Sequence, residues 1–277
     1  MLVVDTHTHV VSDDEDTYPL HPRDGTGPWY REDPCSVERL LSLMDESGVD
    51  RVVLVQGMTA YGTDNRYTHD SARRFPERCT SVAGLDLRGP EPAAELRRLV
   101  ESEGMRGLRW VSLFDGQSLE EPASVWRVAV DLRIPVVVTI LADALPVLAD
   151  ALPRLPPIAL ALDHCGFADF SRGVPDEVAA LVPFPNLHLK VSSNVLESAE
   201  PHGDIRELVT ELAARFGARR LMWGSDYSQT HDRPYPELVA RQRQAASGLA
   251  DDDRAWYLGG TALELWPELG RADPAAR

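Results

Sequence analysis

Eight short apolar runs alternate with helical patterns along this chain, and the alternation restricts the fold more than any other feature of the sequence. Most of the runs are continuously apolar, which is typical of parallel strands that are covered on both faces. They are Leu2–His9, Arg51–Gln56, Ser81–Leu85, Arg106–Trp110, Pro135–Ile140, Ile158–His164, Leu187–Ser192 and Arg220–Asp226. Helices are predicted between them, for example over Val37–Ser47, which Gly48 follows, and over Ile205–Phe216, which Gly217 follows.

This order of elements predicts an α/β protein, specifically a (β/α)8 TIM barrel. A doubly wound open sheet is the competing architecture, but the first strand-to-helix connection lacks a glycine-rich phosphate loop. The chain has 277 residues, 43% of them hydrophobic, which is enough for one large core. We therefore expect one domain over residues 1–277, with a peripheral tail after about residue 267.

Composition limits the partners and the compartment. The formal net charge is −16, so a nucleic-acid partner is not expected. No apolar run approaches the roughly 18 residues of a membrane helix, and the first residues start a strand and not a signal peptide. Three widely spaced cysteines without a Cys-x-x-Cys pair favour a reducing cytoplasm. We expect a small-molecule substrate, and the sequence leaves a homo-oligomer open.

Three of the predicted strands end in residues that can perform chemistry. The first ends in His7-Thr8-His9, and alternate residues of a strand project to the same face. The sixth ends in Asp163 and His164, and the eighth ends at Asp226. In a closed barrel all strands end at one mouth, and the eighth strand lies beside the first. The sequence therefore predicts one site that contains both histidines of the first strand, His164 and Asp226, with Asp163 pointing away from His164.

Two kinds of chemistry suit this set of side chains. Imidazole nitrogens and a carboxylate oxygen are suitable ligands for a divalent ion such as zinc. The same residues also work without a metal, with Asp226 as the general base on water and the imidazoles polarising a carbonyl.

Taken together, the motifs of this chain resemble the amidohydrolase superfamily, and more narrowly its branch of 2-pyrone-4,6-dicarboxylate lactonases and sugar lactonases. The resemblance depends on Asp-x-His-x-His at 5–9, Asp-His-x-Gly at 163–166, Leu-Lys-x-Ser at 189–192 and Gly-Ser-Asp at 224–226. Val-Gln at 55–56, Gly-Thr-Asp-Asn at 62–65 and Arg-Gly-Leu-Arg at 106–109 extend it. It covers the chain from Val4 to about Leu265, with the motifs in the family's order.

The resemblance implies roles for these residues. His7, His9 and Asp226 would form the catalytic centre, with His164 beside them. The aspartate of such enzymes deprotonates the attacking water and then protonates the leaving group. A divalent metal, most suitably zinc, would be held by His7, His9 and Asp226, with His164 as a further ligand. Some members of the lactonase branch do not need a metal, so the resemblance implies an ion that is dispensable.

One departure from the family concerns the fifth strand. Many metal-dependent members, including the metallated aromatic-acid decarboxylases, carry a metal ligand at the end of this strand. Here Pro135–Ile140 contains no histidine. This absence weighs against decarboxylation and leaves a metal site short of ligands.

Four further residues are predicted to contact the substrate: Arg109, Lys190, Tyr61 and Asn65. The family's fourth-strand arginine commonly binds a substrate carboxylate, which implicates Arg109, and we expect it to face inward. Lys190 is the only lysine among 28 basic residues, and it either contacts a substrate anion or bridges carboxylates inside the barrel. Tyr61 and Asn65 either contact the substrate or pack their own loop.

Two other predictions concern the ends of the barrel. The long connection after the first strand would form a lid over the mouth, with His21, Arg23, Trp29 and Tyr30 in it. His188 precedes Lys190 by two residues and is predicted to lie deeper, towards the bottom of the barrel.

These observations predict a hydrolase that opens a lactone, or a similar cyclic ester, of a small carboxylated or hydroxylated substrate. The alternative is a metal-dependent decarboxylase of a small aromatic or unsaturated acid. A third alternative is a barrel that binds a small acid without turnover, and the presence of all four polar residues at the mouth argues against it.

Overall fold

The structure, a computed structural model, describes residues 1–22, 27–112, 119–201 and 203–271. Its eight strands form one sheet in the order β1 to β8, and every neighbouring pair is parallel. The strands are β1 (Val4–Thr8), β2 (Arg51–Val55), β3 (Cys79–Gly84), β4 (Leu108–Val111), β5 (Val136–Thr139), β6 (Leu160–Leu162), β7 (Leu187–Ser192) and β8 (Leu221–Gly224). The single-domain (β/α)8 TIM barrel predicted from the sequence is confirmed.

Helices alternate with these strands around the outside of the barrel. They are α1 (Trp29–Glu32), α2 (Val37–Ser47), α3 (Met58–Tyr61), α4 (Arg66–Arg74), α5 (Pro92–Glu101), α6 (Ala123–Leu132), α7 (Leu145–Ala151), α8 (Asp176–Ala179), α9 (Ser193–Ala199), α10 (Ile205–Phe216), α11 (Tyr235–Ala246), α12 (Asp251–Ala255) and α13 (Thr261–Leu265). Local signals explain several boundaries. Ser36 caps α2 by accepting a hydrogen bond from the backbone N–H of Arg39, and Gly48 ends α2 with a left-handed φ of 64°.

The barrel closes between β8 and β1, just above the strand ends. The backbone N–H of Asp226 donates to the carbonyl of His7 at 2.8 Å, and the N–H of His9 donates to the carbonyl of Tyr227 at 2.6 Å. Gly224 permits this approach, because a Cβ at that position would lie 2.8 Å from the Cβ of His7. The closure therefore brings the first-strand histidines against the residue that follows β8.

The bottom of the barrel is filled by apolar side chains. Val53, Val82, Val137 and Met222 project inward from their strands and pack together with Trp266, which comes from the C-terminal part of the chain. Side chains of β1, β2 and β6 and of the last helices complete this cluster. The polar residues of the site are thus held above a solid apolar layer.

The structure describes the C-terminal tail as far as residue 271. Pro267–Gly270 form a short 3-10 helix, and Leu269 is buried in the apolar cluster at the bottom of the barrel. Leu269 follows Trp266 by three residues, so one helical turn presents both side chains to the same apolar surface. Residues 272–277 lie outside the described residues.

Within the four described ranges, no helix combines the length and the apolar character needed to cross a bilayer.

Candidate active site

His7, His9 and Asp226 meet at the mouth of the barrel. The Nε2 atom of His7 lies 3.6 Å from Oδ1 of Asp226, and the Nε2 atom of His9 lies 3.5 Å from the same oxygen. All three side chains are at most 1% exposed. Within the described residues, none of these three atoms has a hydrogen-bond partner. Buried polar atoms are rarely left unpaired, so this convergence marks the site.

The second ring nitrogen of each histidine is held by a fixed partner. Nδ1 of His9 lies 2.8 Å from the carbonyl oxygen of Val55. A carbonyl oxygen only accepts, so Nδ1 of His9 carries the hydrogen and its Nε2 keeps a lone pair. Nδ1 of His7 lies 3.0 Å from Oδ1 of Asp163. Burial lowers the pKa of His7 well below its ordinary value, despite the opposing charge of Asp163, so the ring is neutral.

Asp226 reaches the histidines from the turn that follows β8. Its backbone has a φ of 60°, a left-handed conformation that turns the carboxylate towards β1. The other oxygen, Oδ2, accepts hydrogen bonds from Thr230 Oγ1 at 3.1 Å and from Asn194 Nδ2 at 3.4 Å. Burial opposes ionisation of this carboxyl, but the nearby imidazoles of His164, His9 and His7 hold its pKa below the ordinary value. Asp226 is therefore ionised.

The fourth predicted residue, His164, joins this group through an irregular turn. The segment 164–167 has positive φ throughout, and His164 itself has a φ of 54°. Its ring centroid lies 4.6 Å from that of His7, and its Nδ1 lies 2.8 Å from Ser192 Oγ. Burial lowers the pKa of His164, so this imidazole is also neutral.

The donor set of the mouth fits a divalent cation. Two imidazole lone pairs and one carboxylate oxygen converge, and none of these three atoms can donate a hydrogen bond to another. Ligand atoms about 2.0–2.1 Å from a tetrahedral zinc ion lie about 3.4 Å apart, which is close to the spacing of 3.5–3.6 Å seen here. The residues expected from the resemblance, namely His7, His9 and Asp226, are thus one of two groups among the described residues that could hold an ion; His7, Asp163 and His164 are the other.

Asp163 corrects an expectation from the sequence. We expected its side chain to point away from His164, because neighbouring strand residues face opposite sides. In the structure β6 ends at Leu162, and Asp163 continues the inward series that Ala161 begins. His164 then turns back to the site by its left-handed backbone, so both side chains reach the interior. Strand alternation continued from Ala161 predicts that Asp163 faces inward. The irregular turn that brings His164 inward has no comparable signal in the sequence.

Arg109 faces the interior, as the sequence predicted, and is 8% exposed. Its Nη1 donates to the carbonyl of Gln56 at 3.0 Å, and its Nε donates to Thr139 Oγ1 at 3.2 Å. Its neighbour Trp110 faces outward and stacks on Trp126 with ring centroids 4.7 Å apart. Thr139 stands at the end of β5 and donates to Asp163 Oδ2 at 2.7 Å.

The other three predicted substrate contacts lie in different surroundings. Lys190 has no exposed surface, and its Nζ lies 3.1 Å from Oδ1 of Asp163, which favours the interpretation that it bridges carboxylates. Tyr61 is 2% exposed, and its hydroxyl accepts a hydrogen bond from the N–H of Ser12 at 2.8 Å. Asn65 is 5% exposed and binds both the N–H and the carbonyl of Gly84 at 2.8 Å. These placements favour loop packing for Tyr61 and Asn65.

The connection after β1 covers one side of the mouth. The Trp29 ring lies 5.4 Å from the His9 ring, and its indole N–H donates to Thr59 Oγ1 at 2.9 Å. Tyr30 packs beside Trp29, whereas the His21 side chain is 59% exposed. Arg23 lies outside the described residues.

On the opposite side of the mouth, a cavity of about 270 Å³ is bordered by His164, Phe167 and Asn194. A larger cavity of about 750 Å³ lies near the start of β3 and contains none of the site residues.

Asn194, Thr230, Thr139 and Ser192 were not predicted as site residues. Each contacts one of the central side chains: Asn194 and Thr230 bind Asp226, Thr139 binds Asp163, and Ser192 binds His164. Thr139 and Ser192 end their strands, a position that singles out candidates. Thr230 lies in an irregular segment, and Asn194 lies in the first turn of α9, where the helical pattern does not single it out.

Residues 4–267 match the family model described as Amidohydrolase. L-fucono-1,5-lactonase of Burkholderia ambifaria is 29% identical over 95% of this chain and 94% of that protein. The 2-pyrone-4,6-dicarboxylate hydrolase of Comamonas testosteroni is 28% identical over 85% of this chain and 77% of that protein.

Solved structures share the fold at lower identity. A protein of Acinetobacter baumannii described as a probable 2-pyrone-4,6-dicarboxylic acid hydrolase, with citric acid bound, has a TM-score of 0.79 at 22% identity, covering 96% of this chain and all of that one. An amidohydrolase of Burkholderia multivorans with bound zinc has a TM-score of 0.75 at 23% identity, covering 96% of this chain and 99% of that one. The 5-carboxyvanillate decarboxylase of Sphingomonas paucimobilis follows at 0.70 and 15% identity, covering 96% and 99%.

The family resemblance read from the motifs is confirmed by a match that spans nearly the whole chain. This chain belongs to the amidohydrolase family and is an enzyme of that family.

Proposed function

We propose that this enzyme is a lactonase that hydrolyses the cyclic ester of a small carboxylated or hydroxylated substrate. The observation that carries the proposal is the convergence of His7 Nε2, His9 Nε2 and Asp226 Oδ1, three buried atoms without protein partners. Both curated relatives support it, since one is named a lactonase and the other a hydrolase of a pyrone, which is itself an unsaturated lactone.

Asp226 supplies the proton transfers of this reaction. Its ionised carboxylate takes a proton from water, which attacks the lactone carbonyl, and the protonated acid then gives that proton to the leaving oxygen as the ring opens. Nδ1 of His164 is bonded to the Ser192 hydroxyl, which can either donate or accept. The hydrogen of the neutral His164 ring can therefore be on either nitrogen. In the tautomer that places its hydrogen on Nε2, His164 donates to the developing oxyanion.

We propose that the site works with one divalent ion held by His7, His9 and Asp226, and that zinc is the preferred ion. The lone pairs at Nε2 of His7 and His9 support a metal over the metal-free alternative, because a neutral ring without hydrogen at Nε2 cannot donate to an oxyanion. With such an ion bound, the site would gain Lewis-acid polarisation of a carbonyl and a lower pKa for bound water. The zinc-bound structure of the Burkholderia multivorans protein is in keeping with this choice.

Arg109 remains our proposed contact for a substrate carboxylate. Its Nε and Nη1 are bonded to the protein, and its Nη2 makes no hydrogen bond within the described residues. A guanidinium whose Nη2 is not bonded to the protein can still present two N–H groups to a carboxylate.

The buried, unpaired cysteines Cys35, Cys79 and Cys165 support our further proposal that the protein works in a reducing compartment such as the cytoplasm.

A substrate panel tests the proposed function. We expect acid release, followed with a pH indicator, from at least one member of a set of sugar lactones and pyrone carboxylates, and no CO2 release from aromatic acids. The Asp226→Asn variant is the matched blank for uncatalysed lactone opening. CO2 release that depends on Asp226, without acid release from any lactone, would establish the decarboxylase alternative. Turnover of neither class would contradict both.

Metal dependence is tested separately. We expect one ion per chain by elemental analysis and loss of activity after treatment with a chelator, with recovery on adding zinc. Full activity in a protein shown to be free of metal would overturn the metal part of the proposal and leave the lactonase part standing.

A further inference from the structure

Beneath the mouth lies a layer of buried polar and charged groups, here called the Asp163 layer: Asp163, Lys190, Arg109 and Thr139. Oδ1 of Asp163 lies 3.0 Å from His7 Nδ1 and 3.1 Å from Lys190 Nζ. Oδ2 accepts from Thr139 at 2.7 Å and lies 3.5 Å from Nε of Arg109. Both oxygens are thus engaged, and Asp163 and Lys190 have no exposed surface.

We propose that Asp163 is the positioning residue that fixes the ring and tautomer of His7, and that Lys190 is its permanent counter-charge and not a substrate contact. The proposal rests on the proposed function only in taking His7 as a residue of the active site. The positioning of His7 itself depends only on the contacts of the Asp163 layer.

Two groups, Asp163 and Lys190, compete for Nδ1 of His7. An ionised carboxylate only accepts, so Asp163 requires the hydrogen of His7 to be on Nδ1, which leaves a lone pair on Nε2 facing Asp226. Lys190 Nζ lies 3.4 Å from the same Nδ1, and an ammonium only donates. Without Asp163, the hydrogen of His7 loses the acceptor that holds it on Nδ1, and Lys190, where it is present, would donate to that nitrogen and move the hydrogen to Nε2.

Charge balance explains why the layer contains its cations. Two cations face the carboxylate of Asp163: Lys190 Nζ lies 3.1 Å from Oδ1, and Arg109 Nε lies 3.5 Å from Oδ2. A carboxylate with no access to water needs such partners to stay ionised. Lys190 also lies over the Trp266 ring, with Nζ 5.8 Å from its centroid, so the ammonium is enclosed from above and below. A substrate anion therefore has no path to it.

A double variant separates positioning from stability. Asp163→Leu combined with Lys190→Met removes the buried pair and leaves apolar side chains of similar size, a replacement that proteins often tolerate. Asp163→Asn is the second variant, should the double variant fail to fold. Arg241→Met is the matched control, since it removes a buried cation whose partners Glu197 and Glu200 lie on and just after the outer helix α9.

The first readout is the tautomer of His7 in metal-free protein, from ¹⁵N spectra of histidine-labelled samples, with the signal assigned through His7→Gln. We expect hydrogen on Nδ1 in the wild type and in Arg241→Met, and substantial hydrogen on Nε2 in both Asp163 variants. The second readout is zinc affinity, which we expect to fall roughly ten- to hundredfold in the Asp163 variants and to be unchanged in the control.

The outcomes decide the proposal whatever the substrate proves to be. A folded double variant that keeps Nδ1–H on His7, with zinc affinity equal to the wild type, would overturn it. Should the wild type bind no zinc, the tautomer readout alone decides. A shifted tautomer in an enzyme that opens no lactone would support the positioning role and contradict only the proposed function.

Discussion

The two ends of the barrel interior differ in how well their buried side chains are bonded and packed. At the mouth, buried polar atoms of His7, His9 and Asp226 face one another without partners. At the bottom, Trp266 fills the space among apolar strand residues, and its indole N–H donates to the carbonyl of Arg106 at 3.1 Å. Unpaired buried groups cost stability, whereas a packed and bonded aromatic contributes to it. The comparison teaches that activity and stability are separated along the barrel axis, and the following predictions test that separation.

The largest effect is expected at the mouth. Asp226→Asn deletes the proposed base while keeping the shape of the side chain, so kcat/KM should fall by roughly 10² to 10⁴. The thermal midpoint should not decrease, because Oδ1 makes no hydrogen bond within the described residues. Lactone assays and thermal melts of the same samples check both statements. Turnover close to the wild type would remove Asp226 from its role.

The bottom should show the reverse pattern. Trp266→Ala opens a cavity under the Asp163 layer and should cost about 3–5 kcal/mol in the free energy of unfolding. The kcat/KM of the remaining folded enzyme should stay at the wild-type value. Trp266→Phe keeps a ring and loses the hydrogen bond to Arg106, so it should cost less. Urea titrations measure the stabilities, and a loss of activity that exceeds the unfolded fraction would break the separation.

Arg109 lies between the two ends and should affect substrates selectively. If it binds a carboxylate through two charge-assisted hydrogen bonds, Arg109→Met should cost about 1.5–3 kcal/mol, roughly ten- to hundredfold in kcat/KM, on a carboxylated lactone. Arg109→Lys should cost less but still be measurable, because lysine lacks the planar fork. A neutral sugar lactone should suffer little from either change. Equal losses on both substrates would show that Arg109 is not a carboxylate clamp.

The smallest effect is a pH dependence at the bottom of the barrel. His188 is 8% exposed there, as the sequence predicted, with Nδ1 3.1 Å from the carbonyl of Leu160. Burial lowers its pKa below the ordinary 6.5, so the unfolded chain binds this proton more tightly than the native protein. The contribution of His188 to the free energy of unfolding is therefore fully present above pH 6.5 and decreases as the pH falls below it.

His188→Asn keeps a donor for Leu160 and removes the titration. The wild type should lose more stability than the variant between pH 6.5 and 5, by at most about 1.4 kcal/mol per pH unit. Urea titrations at several pH values measure the difference, from which the contributions of the other histidines cancel. If the stabilities of the wild type and the variant change in parallel with pH, His188 has the same pKa in the folded and unfolded states.

Regular elements could be predicted from the sequence, and irregular ones could not. All eight strands were located because each is an apolar run, and α10 was bounded at both ends by its periodicity and by Gly217. The residues of the mouth were found because they end strands. Asp163 was misplaced because His164 was assumed to follow strand alternation, whereas a left-handed backbone brings it inward. The partner Thr230 lies in a turn that no local pattern specifies, and nothing in the helical pattern of α9 singles out Asn194.

Gly224 has a consequence for the kind of ion that the site could accept. With no side chain there, the seam between the last strand and the first is as narrow as two backbones allow, and the Nε2 atom of His7 stays 3.6 Å from Asp226 Oδ1. For ligands arranged tetrahedrally around an ion, this spacing corresponds to bonds of about 2.2 Å, which are shorter than the roughly 2.3–2.6 Å that calcium requires. The ionic radius that the mouth selects would thus be set by a residue that touches no ion.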